Sequence, residues 1–241
     1  MQNRPNPQFD GNNAKFEHYK WNAVFTGQPK ISVPAPPQQF PESRTYSQAF
    51  NHSKKTGRNL WELLTPILPD SKNKELLQSM EIELYQWMLT NPVNNTLPVD
   101  NVPFITGFQF NPAKTLEKTM AITVTGKRND DNMIELAIPA FTPAKNISAP
   151  PKTESITFKI MAVAYNIATG AKASAYLTEL NIPYNDIQLL SQNITLPVTP
   201  EPGVLIVVAI AIEYTIIREK NLQAVHNLNW MPAGIVWSGY N

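Results

Sequence analysis

Cysteine is absent from this chain of 241 residues. That absence excludes disulfides, thiolate metal sites and cysteine nucleophiles. Glycine is scarce too, at nine residues, and the chain contains neither a phosphate-cradling Gly-rich motif nor a Gly-x-Ser-x-Gly nucleophile elbow. Because no arrangement of residues points to a reaction, we expect a protein that is not an enzyme and that holds no cofactor.

Charge is also in short supply. Charged residues make up 16% of the chain, against about 25% in an average protein. The net charge of +1 gives no electrostatic reason to expect nucleic acid as a partner. The three histidines, His18, His52 and His226, are too far apart to form a local metal-binding motif. A surface made mostly of amide and hydroxyl groups suits a protein that packs against copies of itself.

No apolar run is long enough to cross a membrane. The longest begins at Val204 and reaches Ile217, with Glu213 inside it. Its length of about 14 residues falls short of the roughly 20 that a bilayer needs, so it predicts a buried strand. Residues 1–5 lack the apolar segment of a signal peptide. The compartment stays open, although a cysteine-free structural protein suits an extracellular or particle-associated location.

The most informative segment is a proline-rich start. Seven of the 22 prolines lie in residues 1–42, which predicts an extended arm because proline fixes φ and removes a backbone donor. The arm also carries more aromatic rings than a disordered linker normally does. These rings are Phe9, Phe16, Tyr19, Trp21, Phe25 and Phe40. We expect them to anchor the arm on a surface, either its own or a neighbour's.

Residues 43–91 have the pattern of a helical hairpin, with apolar residues at helical spacing in both halves. The first stripe is Tyr46, Ala49, Phe50, Leu60, Trp61 and Leu64, and the second is Leu76, Leu77, Met80, Leu84, Trp87 and Met88. The candidate N-caps are Ser43 or Thr45 for the first helix and Asp70 or Ser71 for the second. Gly57 would allow a neighbour to approach closely. Core packing is the main interpretation, and a groove for a partner helix is the alternative.

After a linker at 92–101 the pattern changes to strands separated by turn-forming residues. The predicted strands are 104–110, 120–125, 133–138, 156–165, 171–177, 188–196, 204–217 and 223–237, and a turn is expected at 126–132. Strands without intervening helices predict an antiparallel immunoglobulin-like β-sandwich of seven or eight strands over residues 102–241. The fold class is therefore α+β. The segment that starts at Val204 does not alternate, so we expect it to be central or covered on both faces.

The chain ends in an aromatic segment. Trp230 is expected to close the core of the sandwich. Two interpretations are open for Trp237 and Tyr240: they either complete that core or form an exposed interaction patch at the C-terminus.

Three short segments resemble a group of uncharacterised Bacteroidota proteins. They are Phe50, Gly57, Leu60, Leu64, Pro66 and Leu68 of the hairpin, the sequence Gly-Phe-Gln-Phe-Asn at 107–111, and Ala-Val-Ala-Tyr-Asn at 162–166. Proteins of that group have a helical pair followed by an immunoglobulin-like domain at the C-terminus. The resemblance covers about residues 43–215 and implies no activity and no site. The proline-rich arm departs from the group.

These observations favour a structural subunit of a self-assembling particle or filament, such as a surface appendage, a phage-like particle or a secretion apparatus. The arm would dock on a neighbouring copy, with strand addition at an edge of the sandwich as one route. Other assembly components are further expected partners. The alternative is a monomeric binding module for carbohydrate, with exposed Trp or Tyr as its platform.

Overall fold

The computed structural model describes residues 41–90, 105–129, 131, 133–167, 169–198 and 201–240. Its longer helices are α1 (Pro41–Leu64) and α2 (Lys74–Thr90), with a 3-10 turn at Thr65–Ile67 between them. Two one-turn helices are α3 (Leu116–Thr119) and α4 (Pro143–Asn146). The strands are β1 (Thr125–Arg128), β2 (Ile134–Ile138), β3 (Thr153–Asn166), β4 (Lys172–Pro183), β5 (Gln192–Leu196), β6 (Val204–Arg218), β7 (Asn221–Ala224) and β8 (Ala233–Tyr240). The predicted α+β class is confirmed.

The strands form two antiparallel sheets. The smaller has the order β1-β2-β5, and the larger has the order β4-β3-β6, with both β7 and β8 beside β6. In immunoglobulin lettering, β1, β2 and β5 are strands A, B and E of the small sheet. The large sheet then reads C′-C-F-G, formed by β4, β3, β6 and β8, and β7 is an additional strand. The C′-C-F-G order is one that immunoglobulin-like sandwiches use.

The large sheet is covered on both faces. Alternate residues of β3 and β6, among them Phe158 and Ile206, pack in one cluster with Ile134 and Leu136 of the small sheet. The intervening residues, such as Val207, belong to a second cluster with the helical hairpin. From Thr45 onwards, the described residues therefore form three layers: hairpin, large sheet and small sheet.

This layering explains why β6 lacks alternation. Leu205, Val207 and Ala209 face the hairpin, whereas Ile206 and Val208 face the small sheet, so neither side meets water. The expectation that this segment is central and covered is confirmed. A strand buried on both faces reads as a continuous apolar run.

The hairpin packs on the large sheet through the C-terminal members of each predicted apolar stripe. Leu60 and Leu64 of α1 and Leu84 of α2 are fully buried there. Side-chain contacts add to this apolar packing: the Asn59 amide donates to the Tyr165 hydroxyl at 2.9 Å. From Thr45 onwards the chain forms one compact unit.

Two details of the helix ends differ from expectation. Helix α1 begins at Pro41, before both predicted caps, which suits proline because its missing N–H is not needed in the first turn. The start of α2 follows Asn73, whose side-chain oxygen accepts from the Leu76 N–H at 3.0 Å. That bond makes Asn73 the cap in place of Asp70 or Ser71.

Four predicted strand segments fold differently, one of them 188–196, where β5 starts only at Gln192. In 104–110, Gly107 has φ +90° and Gln109 forms an isolated bridge to β8. In 120–125, α3 runs up to the bridge at Met120, and the strand starts only at Thr125, so Gly126 lies in β1 and outside the expected turn. The segment 223–237 divides into β7 and β8, because the Asn227 side chain accepts from the Asn229 N–H and starts a 3-10 turn.

Candidate functional site

The largest free edge of the described sheets belongs to β4. Its 12 residues pair with β3 along one side, from Ser155↔Pro183 to Tyr165↔Lys172. No described residue pairs with the opposite side. Residues 174–178 carry no charge and no proline, and the Leu177 side chain there is 40% exposed. Such an edge presents unpaired backbone donors and acceptors to another strand.

The remaining edges are short or partly covered. Strands β1 and β7 have four residues each and β5 has five. The edge of β8 is met by neighbouring backbone, since the Gly107 N–H donates to Ile235 and the Phe110 N–H donates to Ala233, both at 2.8 Å. Among the described strands, β4 therefore stands apart as a long edge available for pairing.

A loop that follows β4 presents two aliphatic side chains to solvent. Leu190 is 81% exposed and Ile187 is 68% exposed, and Asp186 beside them is exposed as well. We call residues 186–190 the β4–β5 knob. Hydrogen bonds hold its backbone on both sides. The Phe141 N–H donates to the Leu189 carbonyl at 3.2 Å, and the Leu189 N–H donates to the Phe141 carbonyl at 2.8 Å. The Asn185 side-chain oxygen accepts from the Ile187 N–H at 2.9 Å.

Tyr184 anchors the start of this loop. Its backbone N–H donates to Glu154 and its hydroxyl donates to Ile147, both at 2.8 Å. Burial raises the pKa of Tyr184, and the nearby Asp186 carboxylate raises it further. The hydroxyl therefore keeps its proton, and with it the bond to Ile147, throughout the neutral range.

The outer side of the hairpin carries a groove of about 560 Å³ between α1 and α2, which we call the hairpin groove. Its apolar lining consists of Phe50, Leu77, Ile82 and Tyr85. Phe50 is 47% exposed and Ile82 is 56% exposed. The Phe50 and Tyr85 rings meet edge to face with centroids 5.9 Å apart. A preformed recess of this size with an apolar lining is typical of binding sites.

Cations surround the groove. Lys54, Arg58 and Lys74 all line it. The Lys54 ammonium lies 4.4 Å from the centre of the Phe50 ring, and Arg58 Nε lies 3.5 Å from the Glu81 carboxylate. The four charged side chains together leave the groove with a net positive charge.

The close approach of the two helices depends on Gly57. A Cβ atom at this position would lie 2.7 Å from Cγ of Glu81 and 3.5 Å from its Cα. The prediction that Gly57 admits a close neighbour is confirmed. Glu81 is thereby positioned at the groove, where it pairs with Arg58.

The predicted aromatic residues divide into two sets. All six arm anchors, Phe9, Phe16, Tyr19, Trp21, Phe25 and Phe40, lie outside the described residues. Trp237 and Tyr240 are 6% and 3% exposed, because each packs into a core cluster. The interpretation of those two as an exposed patch is therefore corrected: they complete the core. Trp230 is half-buried and packs against Tyr214.

Sequence reasoning found the hairpin groove only as an alternative to core packing. Tyr46 and Phe50, the aromatic members at the N-terminal end of the first stripe, stay exposed. The β4–β5 knob was not predicted, because the sequence pattern predicts a strand over 188–196, whereas β5 starts only at Gln192. The sequence signal for this exposed loop was the presence of Ile187 and Leu190 in a mostly polar stretch. That signal is weak, because the exposure of an aliphatic side chain depends on which other elements pack beside it.

Across the described part of the chain, no group of three His, Asp or Glu side chains could hold a metal ion. No helix there is long and apolar enough to span a bilayer. Comparison with protein-family models, curated proteins and solved structures finds no match to this chain.

Proposed function

We propose that this protein is a non-enzymatic structural subunit of a self-assembling particle or filament, in which the N-terminal arm of one copy docks on the next. The long free edge of β4, which has no charge and no proline over residues 174–178, is the observation that carries the proposal. Natural sandwiches usually protect such an edge with charge, proline or a covering segment. An edge of 12 residues that no described residue pairs, with charge and proline confined to Lys172, Glu179 and Pro183, supports pairing with another chain.

The arm contains a segment that matches this edge. In 19–25, Tyr19, Trp21 and Phe25 stand at odd positions and polar Lys20 and Asn22 at even ones, with Val24 as the one apolar even position. Alternation with period two places the three rings on one face of a strand. Backbone hydrogen bonds to β4 would supply affinity, and the rings would supply specificity.

The composition of the arm favours tight docking. Proline restricts the free arm, so less conformational entropy is lost when the arm becomes ordered. An arm that joins neighbouring copies also raises the effective concentration of every other contact between them. The resemblance to Bacteroidota proteins with a helical pair and an immunoglobulin-like domain, which we retain as part of the proposal, is compatible with this architecture.

Deletion of residues 1–40 tests the proposal. Both core clusters lie within residues 60–240, so the shortened chain should fold, and circular dichroism checks that it does. We expect size-exclusion chromatography with light scattering to show large species for the intact chain and a monomer for the deletion. An intact chain of 27.1 kDa in solution would overturn the assembly proposal and leave a monomeric binding module.

Point variants locate the docking edge. Leu177→Lys places a charge in the middle of the uncharged part of β4, and we expect it to weaken assembly of the full chain by about tenfold or more. The matched control is Leu222→Lys, at a 68% exposed leucine of the short strand β7. Equal effects of both substitutions would contradict β4 as the docking edge.

A further inference from the structure

We infer that the β4–β5 knob of one copy seats in the hairpin groove of another. This inference rests on the proposed self-assembly, and it adds a second contact between subunits that does not involve the arm. Its occupant is a second copy of this chain, presenting Asp186, Ile187 and Leu190.

The groove offers apolar contact together with positive charge. Ile82 and Phe50 are its most exposed apolar members, and Lys54 and Lys74 line the same recess. An occupant that fits this chemistry carries aliphatic side chains next to a carboxylate. A purely apolar occupant would take water away from the ammonium groups without supplying a carboxylate to pair with them.

The knob has this composition. Residues 184–191 contain one charged side chain, Asp186, and it is directly followed by Ile187. Leu190 is the most exposed large apolar residue in the described part of the chain. The Asp186 carboxylate is thus the one charge within residues 184–191. A cation lies close to this loop, because the Ala144 N–H donates to the Asn185 carbonyl at 3.1 Å and Lys145 follows Ala144 in α4.

Preorganisation favours the contact. The bonds of Phe141 to Leu189 and of Asn185 to Ile187 hold the knob backbone before any partner arrives. The helices that form the groove are likewise fixed against the sheet through Leu60 and Leu84. Because the backbone of both surfaces is already ordered, little backbone conformational entropy is lost on binding, which favours affinity.

The knob and the groove are different surfaces of one chain. Each copy can therefore bind one neighbour through its knob and a second through its groove, or two copies can form a symmetric dimer in which each knob enters the other's groove. Two aliphatic side chains in a single recess make a small interface, and small interfaces bind weakly by themselves. We expect the contact to be measurable by itself at high protein concentration and to be strengthened when the arm also joins the copies.

Complementation tests the inference in the full-length chain with the arm silenced by Trp21→Asp and Phe25→Asp. In that background Leu190→Glu removes the knob, and Ile82→Glu removes the groove. We expect each variant alone to self-associate at least about tenfold more weakly than the arm-silenced parent in sedimentation equilibrium. A mixture of the two should form a one-to-one heterodimer, because one intact knob and one intact groove remain.

Leu222→Glu in the same background is the matched control and should leave association unchanged, since Leu222 is as exposed as Ile187. A mixture that forms no heterodimer, or a control that weakens association equally, would overturn the inference. Because the arm is silenced throughout, this result is independent of whether arm deletion abolishes assembly.

Zero-length carbodiimide cross-linking of isotope-mixed chains identifies the occupant. The expected product joins the Asp186 carboxylate of one copy to the Lys54 or Lys74 amine of another. Cross-links from those lysines to Asp10 or Glu17 would instead make the arm the occupant and overturn the inference. A charge swap, Asp186→Lys with Lys54→Glu and Lys74→Glu, should restore the association that either half weakens.

Discussion

Strands β6 and β4 lie on opposite sides of β3 in one sheet, yet their surroundings differ completely. Residues 204–210 of β6 are fully buried, between the hairpin on one face and the small sheet on the other. Among the described strands β4 pairs only with β3, and most of its described side chains remain partly or fully exposed.

This difference separates stability from interaction. Apolar area removed from water stabilises the fold by about 25 cal/mol per Å², so the β6 side chains contribute to folding. The exposed edge of β4 contributes little to folding, and in the proposed assembly it offers backbone groups and side chains to a partner. Substitutions should therefore affect unfolding at β6 and association at β4.

The largest expected effect lies in β6. Ile206→Ala should lower the free energy of unfolding by about 3 kcal/mol, because it leaves a cavity between the sheets at a fully buried site. Leu177→Ala on β4 should lower it by about 1 kcal/mol or less. Urea unfolding of both variants measures the contrast, and equal losses would break the comparison.

A smaller effect is expected where the two sheets meet at Gly126. A Cβ atom there would lie 2.6 Å from Cγ of the buried Trp237 ring. Gly126→Ala should therefore destabilise the protein by about 1–3 kcal/mol in thermal or urea unfolding. In a Trp237→Leu background the same substitution should be less harmful, and an unchanged penalty would contradict the steric explanation.

Tyr214 at the far end of β6 gives a pH-dependent effect. Its hydroxyl donates to Ser148 at 2.8 Å, so Tyr214→Phe should lower the free energy of unfolding by about 1 kcal/mol near neutral pH. Burial, and secondarily Tyr184, raise the pKa of Tyr214 in the folded protein above its ordinary value of 10.0. Ionisation thus favours the unfolded chain: the contribution is complete below pH 10 and is lost progressively above it.

Urea unfolding between pH 8 and pH 11 should show a smaller decline above pH 10 for Tyr214→Phe than for the parent. All other ionisable groups are common to both chains, so their contributions cancel in the comparison. Parallel curves would show that Tyr214 is not responsible.

The smallest effect is expected on the knob. Leu190→Ser should change the free energy of unfolding by no more than about 0.5 kcal/mol, since the side chain makes little internal contact. Urea unfolding of the arm-silenced chain measures it. A loss above about 1 kcal/mol would show that this leucine serves the fold.

The element types were largely predictable where local pattern and burial agree. Helical spacing located both long helices, and the run from Val204 predicted a strand covered on both faces. Segments whose shape depends on a single cap or bridge were not predictable in the same way. Asn227 divides the last predicted strand through one side-chain hydrogen bond, and Gly107 interrupts another through its positive φ.

Composition and periodicity by themselves determined that this chain has no thiol chemistry, a helical pair, a β-rich body and a first segment, residues 1–42, rich in proline and aromatic residues, because these properties reside in local sequence. Only the tertiary structure decided that Trp237 and Tyr240 lie inside, while Leu190, Ile187 and Phe50 lie at the surface. All five are large apolar side chains, and sequence alone treats them alike. Whether such a side chain is buried depends on which distant elements the strand pairing brings beside it.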